Sequence, residues 1–337
     1  MTDTDLSTRD LIIDSATRIF SDGCDHGVVE AAQDGVWPAT LWNTLVENGL
    51  LEIGLAESGT GHGELFEFLR VSGRFAAPLP LLDCLLAQVA LGKTAPATAL
   101  AELQQHAGQA ESIELPWPEH FEAAVVLDVA AGKARVVSLA GLEPVAVDAM
   151  LGEPVARIEL GDAWDKAAAS EFAAPDLYAL AALGRAAQMC GGLEASLNMA
   201  ISYCSEREQF GRAISKFQAI QHQLAVLAAE VAASQRATDA AIHSVEVSAA
   251  AGAQLRTSDV AVAKVRVGAA VGVGAEIAHQ VHGAMGFTME YSLHQLTRRL
   301  WSWRDQFGTE SDWATFIGAE VCAGSADDLW AYIAQHG

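Results

Sequence analysis

A Phe-Gly dipeptide in the second half of the chain is surrounded by polar side chains suited to binding an anion. Residues 205–225 read SEREQFGRAISKFQAIQHQLA, a pattern that predicts a helix that stops at Phe210-Gly211 and a second helix that begins at once. The polar side chains around this break are Arg207, Gln209 and Arg212. Because helix ends leave backbone groups free and a guanidinium matches a phosphate, the break predicts a site for a flat, anionic ligand.

Gln218 follows about one helical turn into the next predicted helix, where its amide could reach the same ligand. Residue types alone also allow a plainer interpretation, in which the break is a helix-helix corner whose arginines are solvated. Both interpretations remain open at this point.

A second stretch, residues 280–291, reads QVHGAMGFTMEY and is rich in small residues. Gly283, Ala284 and Gly286 leave the backbone bare enough for a ligand to lie against it. The alternative is a simple glycine-rich turn with no ligand.

Composition limits the classes of partner. The chain has 337 residues, 43 acidic against 20 basic, and a formal net charge of -23. Such a charge repels nucleic acid and anionic membrane surfaces, so we expect neither as a partner. The five cysteines form no CxxC pair and no metal-like spacing with histidine, so we expect no metal site. The N-terminus lacks the layout of a signal peptide, and we expect a cytoplasmic protein.

The hydrophobic pattern divides the chain into three zones and predicts a mainly α fold with a small β module. Residues 1–112 show helical periodicity and predict an N-terminal helical domain. Residues 113–170 contain short valine-rich runs between turns and predict a reduced β middle domain. Residues 171–337 return to long Ala- and Leu-rich stretches and predict a C-terminal four-helix bundle.

The order REQFG, FQAIQH and QVHGAMGFTMEY, set in this three-domain plan, resembles the acyl-CoA dehydrogenase family. The resemblance implies an acyl-CoA dehydrogenase-like fold that binds FAD across a subunit interface, and oxidation of an acyl-CoA to its trans-2-enoyl product. It also implies that electrons pass to an electron-transferring flavoprotein. Arg207, Phe210 and Gln218 match family residues that contact the FAD pyrophosphate and its surroundings, with Gln209 beside them. The residues that match the family's adenine-end contacts are Gln280, Val281, Gly283 and Ala284.

The family's catalytic base is missing from this sequence. Family members take the α-proton of the thioester with a Glu that follows a Tyr near the last Arg-rich helix. Aligning Phe307 with that Tyr puts Gly308 where the Glu should be, and the other known location, on the first bundle helix, corresponds to Ala181. Glu310 and Asp305 are near enough in sequence to be substitutes, with a solvated charge as the plainer alternative for Glu310, and we expect no catalytic residue in this chain.

Other family features are missing as well. The middle zone lacks the family's Thr-Glu-Pro motif and the following Gly-Ser segment, and the residues that match its later flavin-binding Thr and Gln are the acids Glu310 and Asp312. The pattern therefore resembles the smaller, non-catalytic subunit of α2β2 acyl-CoA dehydrogenases in bacteria that degrade steroid side chains. The partner would be a longer subunit that supplies the base. Two alternatives stay open: a homo-oligomeric dehydrogenase using Glu310, and a non-catalytic scaffold on the same fold.

Overall fold

The computed structural model describes residues 7–104, 111–150, 152–170 and 172–336, with side chains as far as residue 334. The first six residues, which bear on the expectation about export, lie outside these ranges. The chain divides into two compact units. The first unit takes the chain up to Leu69 together with Ala77–Gly184, and the second takes Arg70–Ala76 and everything from Arg185 onward.

The first unit begins with five helices. Their bounds are α1 Thr8–Gly23, α2 His26–Gln33, α3 Ala39–Glu47, α4 His62–Arg74, of which the part from Arg70 belongs to the second unit, and α5 Leu81–Leu91. Ser7 and Asp10 form a capping box that starts α1, because each accepts a hydrogen bond from the backbone of the other. The side chains of α5 are buried from Leu81 to Ala90, so this helix lies in the core of the unit.

Two small sheets follow in the same unit. Their strands are β1 Thr98–Glu102, β2 Ser112–Pro116, β3 Ala123–Asp128, β4 Lys133–Ser138, β5 Pro144–Val147, β6 Val155–Glu159 and β7 Ala168–Ala169, with the short helix α6 Asp162–Lys166 before β7. One sheet has the order β1-β3-β4-β7 and the other β2-β6-β5. The pair β1–β3 is parallel, with Thr98 opposite Ala123, and the remaining pairs are antiparallel. The valine-rich runs predicted as strands correspond to β3, β4, β5 and β6.

The second unit is helical. Its long helices are α7 Ala174–Glu206, of which the part from Arg185 belongs here, α8 Gln218–Ala251 and α9 Thr257–His282, followed by α10 Leu293–Asp305, α11 Glu310–Ala323 and α12 Leu329–His336. The helix α9 packs against α8, α10 and α11 and is therefore central. Its Gly274 allows close packing, since an added Cβ would lie 2.7 Å from the Leu193 side chain on α7 and 3.3 Å from that of Leu227 on α8.

The predicted fold class, mainly α with a small β module, is confirmed. The division into three domains at residues 112 and 170 stays a prediction. Strand β1 lies inside the zone predicted to be helical, so that part of the secondary-structure prediction was wrong. In the described residues, none of the helices combines the length and apolar character that spanning a bilayer requires.

Candidate functional site

The Phe-Gly break is a β-hairpin inserted between two helices. Helix α7 ends at Glu206, and the two-residue strands β8 (Glu208–Gln209) and β9 (Arg212–Ala213) pair antiparallel. Both loop residues have positive φ, 51° at Phe210 and 78° at Gly211, which is the conformation of a tight two-residue hairpin turn. The prediction that one helix stops here and another begins at once was therefore wrong, since α8 begins only at Gln218.

The hairpin presents an aromatic ring to the outside. The side chain of Phe210 is 91% exposed, an unusual state for a large apolar group. Behind it, the guanidinium of Arg212 lies 4.2 Å from the ring centre of Phe217, which ties the second strand to the start of α8. The Phe210 and Phe217 rings are 6.1 Å apart and nearly perpendicular. The tip is thus held in place while its ring remains free to contact a ligand.

A groove of about 570 Å³ joins this hairpin to the end of α9, and we call it the hairpin groove. Its thirteen lining residues are Tyr203, Arg207, Gln209, Phe210, Ile214, Phe217, Ile220, Gln280, Val281, His282, Gly283, Ala284 and Met285. Seven of the eight residues predicted from sequence to bind a cofactor line it, so the structure brings the two motifs together. The eighth, Gln218, is the exposed first residue of α8 and does not line the groove.

The sequence prediction missed six lining residues. Tyr203 could have been found, because it precedes Arg207 by four positions and therefore lies on the same face of the end of α7. The others are Ile214, Phe217, Ile220, His282 and Met285. Apolar residues in a loop or at a helix end have no sequence signal that separates groove lining from core.

The floor of the groove is a buried imidazole. His282 is 2% exposed, with Nδ1 2.7 Å from the Ala278 carbonyl oxygen and Nε2 3.0 Å from the hydroxyl of Tyr291. Its ring centre lies 4.6 Å from that of Tyr203. Burial lowers the pKa of His282 and raises that of Tyr291, since each environment disfavours the charged form. We assign the Nδ1–H as the donor to Ala278, which leaves Nε2 to accept from Tyr291.

Gly283 and Gly286 of the second motif have different structural roles. Gly283 has φ 59° and ψ -139°, a conformation open only to glycine, although a Cβ there would meet no neighbouring atom. Gly286 is buried, and a Cβ there would lie 3.0 Å from Cβ of His282. The expectation that Gly286 exposes backbone to a ligand was therefore wrong, and this glycine allows the turn to pack against α9.

The position of the missing base is a closed turn between α10 and α11. Phe307 and Gly308 both have positive φ, 53° and 87°. Lys264, 1% exposed, donates from Nζ to the carbonyl oxygens of Trp303, Arg304 and Gln306, at 3.1, 2.8 and 2.9 Å. Burial lowers the pKa of Lys264 to about 7. These bonds fix the end of α10 directly before the turn.

The two acids beyond the turn have structural partners. Glu310 accepts a hydrogen bond from Nε of Arg304 and packs so closely on α9 that a Cβ at Gly268 would lie 2.6 Å from its Cγ. Asp312 forms a capping box with Thr309 at the start of α11, and these hydrogen bonds lower the pKa of its carboxyl. Ala181 is fully buried in α7.

The hairpin groove offers groups that suit part of a flavin nucleotide. Arg207 supplies a cation for a pyrophosphate, and the amides of Gln209 and Gln280 can bond to polar edges of a ligand. The exposed Phe210 ring suits a flat heterocycle, and the bare backbone at Gly283 permits close approach. In the part of the chain that the structure describes, no group of three or more His, Cys, Asp or Glu side chains could hold a metal ion.

Comparison with known proteins gives consistent matches. Residues 179–310 match the family model described as acyl-CoA dehydrogenase, C-terminal domain. The chain is 30% identical over 281 residues to acyl-CoA dehydrogenase IpdE2 of Mycobacterium tuberculosis, covering 80% of this chain and 82% of that protein. It is 24% identical to IpdE2 of Mycolicibacterium smegmatis over 327 residues, with coverage of 93% and 98%.

Solved structures share the fold. A chain of the ChsE4-ChsE5 complex from Mycobacterium tuberculosis superposes with a TM-score of 0.83 at 20% identity, covering 97% of this chain and 100% of that chain. A chain from a variant of the Tcur3481-Tcur3483 steroid ACAD gives 0.80 at 23% identity, with coverage of 94% and 99%. Butyryl-CoA dehydrogenase from Megasphaera elsdenii gives 0.77 at 17% identity, with coverage of 95% and 100%.

Proposed function

The chain belongs to the acyl-CoA dehydrogenase family, and from this premise we propose that it is the smaller, non-catalytic subunit of a heteromeric α2β2 enzyme. In this proposal a longer acyl-CoA dehydrogenase subunit supplies the catalytic Glu and most of the contacts to FAD. The present chain completes the FAD site through its hairpin groove. The reaction is α,β-dehydrogenation of an acyl-CoA with a bulky, steroid-like acyl group, in the cytoplasm, with an electron-transferring flavoprotein as the acceptor.

One observation carries the proposal: most of the predicted cofactor contacts lie together, while the family's base position holds no acid. Seven predicted contacts line one groove, but Gly308 occupies a closed turn, and Glu310 is engaged by Arg304. A general base must lie within hydrogen-bond reach of the proton that it removes, and Glu310 is already bonded elsewhere. A subunit that contributes cofactor contacts to a neighbour's site would keep the groove residues and would not need a catalytic base of its own.

The groove residues have separable roles in this proposal. Arg207 would bind the FAD pyrophosphate through its guanidinium, and Phe210 would pack against a flat part of the cofactor. Gln209 would donate from its amide near the phosphates. When bound, FAD accepts a hydride from the β-carbon of the thioester. The backbone around Gly283 and Ala284, with Gln280 and Val281, would form the wall that contacts the adenine end.

The named relatives support the heteromeric part and the substrate class. Two of the structurally similar chains come from assemblies whose names join two gene products, ChsE4-ChsE5 and Tcur3481-Tcur3483, and the second is called a steroid ACAD. The chain covers 100% and 99% of those two chains, so the likeness extends over their whole length. A wide acyl group also fits an arrangement in which only half of the subunits carry out chemistry.

The direct test is co-expression with a longer acyl-CoA dehydrogenase chain of the same genome that has the catalytic Glu. Purification through a tag on the present chain is followed by a flavin spectrum and a mass for the complex. We expect the chain alone to be colourless and the pair to form a yellow tetramer with about one FAD per heterodimer. Four FAD per tetramer would refute the proposed sharing.

Arg207→Ala in the same pair tests the groove. Loss of a charge-assisted bond of about 2 kcal/mol should weaken FAD binding about 30-fold. Arg236→Ala is the matched control, since Arg236 is an 84% exposed arginine of α8 that does not line the groove, and it should keep the flavin. If the chain alone holds stoichiometric FAD and loses activity on Glu310→Gln, the homo-oligomeric dehydrogenase is the correct function. If neither preparation holds flavin, the scaffold alternative is supported.

A further inference from the structure

His282 connects three elements beneath the hairpin groove. It is the last residue of α9, bonded through Nδ1 to Ala278 one turn earlier and through Nε2 to Tyr291, which precedes α10. Its ring packs on Tyr203 near the end of α7. Because His282 also lines the groove, any shift of its ring would move the surface that a ligand contacts.

The segment after His282 depends on this anchoring. The 3₁₀ turn Gly283–Phe287 forms one wall of the groove through Gly283, Ala284 and Met285. Gly286 lies so close to α9 that an added Cβ would be 3.0 Å from the Cβ of His282, while Phe287 stacks on His279 with ring centres 4.7 Å apart. The wall is therefore held from below by two histidines, of which only His282 also reaches Tyr291.

The titratable groups beside the His282 ring are Tyr203 of α7, His279 of α9 and Tyr291. Cys204 of α7 lies near Tyr291. Burial raises the pKa of Cys204 and lowers that of His279, which keeps both uncharged. His294 of α10 lowers the pKa of His279 electrostatically, and the nearby Glu206 raises the pKa of Tyr291. Within the described residues, no carboxylate is among the groups that shift the pKa of His282, so only the backbone of Ala278 and Met199 favours a positive charge on its ring, and burial outweighs them.

We propose that His282 is a positioning residue whose neutral ring holds the Gly283–Phe287 wall in the binding conformation, so that acidification opens the groove and releases the flavin nucleotide. The identity of the ligand rests on the function proposed above, whereas the anchoring of the wall does not. At neutral pH the lone pair of Nε2 accepts from Tyr291. A second proton would place two N–H groups in the buried site, and the Tyr291 hydroxyl would have to turn around.

The direction of the pH effect follows from burial. The folded pKa of His282 lies below its ordinary value of 6.5, because burial disfavours the charged form more than the Ala278 and Met199 backbone favours it. Between those two values the unfolded or opened segment binds more protons than the closed one. The closed wall is therefore fully stable above pH 6.5 and loses stability as the pH falls through this window.

The test compares flavin retention of the co-expressed pair between about pH 5 and pH 8 for three proteins. As the pH falls from 6.5 towards the lower pKa of His282 in the closed protein, the affinity of the wild type should fall by up to about tenfold per pH unit. His282→Gln keeps an acceptor for Tyr291 and does not titrate, so its flavin affinity, taken relative to its own value at neutral pH, should lose that part of the acid dependence. His243→Gln, which changes an exposed histidine of α8 outside the groove, should follow the wild type. Equal pH profiles for the wild type and His282→Gln would refute the proposal.

Amide hydrogen exchange on the full chain without a partner separates this inference from the proposed function. We expect exchange in Gly283–Phe287 to rise on acidification in the wild type, after correction for intrinsic rates, and to rise less in His282→Gln. Tyr291→Phe should raise it already at neutral pH. If the wild-type pair binds no flavin but these exchange differences are found, the proposed function fails and the anchoring role stands. If exchange in this segment is the same in all three proteins, the anchoring role is wrong.

Discussion

The chain uses the dipeptide Phe-Gly twice, with the same backbone conformation and opposite surroundings. Phe210-Gly211 has φ of 51° and 78°, and Phe307-Gly308 has 53° and 87°. Phe210 is 91% exposed at the tip of a hairpin, whereas Phe307 is 7% exposed. Local sequence therefore specifies the left-handed turn in both cases, and tertiary packing decides whether the ring is presented to a ligand or enters the core.

Neighbouring side chains explain the difference. The carbonyl oxygen of Phe307 accepts a hydrogen bond from the indole of Trp313 at 3.0 Å, and the guanidinium of Arg185 lies 5.9 Å from its ring centre. Lys264 fixes the preceding helix end. The Phe210 ring has Phe217 as its aromatic neighbour and a groove beside it. The Phe307-Gly308 turn is closed by these contacts and has no room for a catalytic side chain, whereas the exposed Phe210-Gly211 turn can contact a ligand bound by a partner subunit.

The largest expected effect distinguishes the two rings. Phe307→Ala removes a buried ring and should lower the free energy of unfolding by about 3 kcal/mol, because a cavity replaces it. Phe210→Ala removes an exposed ring and should change that free energy by less than about 0.5 kcal/mol, while it weakens flavin binding by the pair. Urea denaturation and flavin titration measure both. Equal stability losses in the two variants would contradict the comparison.

Lys264→Met should lower the free energy of unfolding by about 2 kcal/mol at neutral pH, because it leaves three carbonyl oxygens at the end of α10 without their donor. Urea denaturation measures the loss. Lys133→Met, at an exposed lysine of β4, is the control and should be neutral.

Lys264 also gives stability a defined pH dependence. Its folded pKa of about 7 lies below the ordinary 10.5, mainly through burial and then through the nearby Arg185. Between these values the unfolded chain binds more protons, so wild-type stability should rise with pH from about 7 towards 10.5. Lys264→Met should lack this part of the slope. Parallel slopes for the two proteins would show that Lys264 remains charged in the folded state.

Restoring a carboxylate at the closed turn should not restore activity. Gly308→Glu forces a side chain into the left-handed region, which costs about 1 kcal/mol of stability. The new Glu would also be part of a turn whose backbone direction is fixed by the surrounding contacts. Gly318→Glu, at an ordinary helical position of α11 with no atom near its Cβ, should be neutral or stabilising. Dehydrogenation by Gly308→Glu alone, with no partner chain, would show that the turn is a functional site that lacks only its base.

Sequence patterns predicted the fold class, because punctuation and periodicity report local structure directly, whereas seven of the thirteen residues that line the groove were predicted mainly from the motifs that resemble the family. The Phe-Gly signal marked a break, and the long helices α7, α8 and α9 followed from their composition. Strand β1, TALAE, was missed because Ala, Leu and Glu favour helices, and it forms a strand through burial and parallel pairing with β3. The hairpin strands are two residues each, too short for any alternation to show. The role of the buried His282 could not be predicted from sequence, because it depends on the hydrogen bond to Tyr291 that only the folded structure shows.

The smallest expected effect concerns Gln218, the predicted contact that does not line the groove. Its side chain is exposed at the start of α8, so Gln218→Ala should weaken flavin binding by the pair about twofold or less, a loss typical of a solvated surface group. Gln280→Ala, at an amide that does line the groove, should weaken it about fivefold, because a ligand group would then lose its hydrogen-bond partner. Flavin titration of both variants measures the ratio. A larger loss for Gln218 than for Gln280 would mean that the cofactor extends beyond the hairpin groove to the N-terminus of α8, and that the groove accounts for only one part of the nucleotide site.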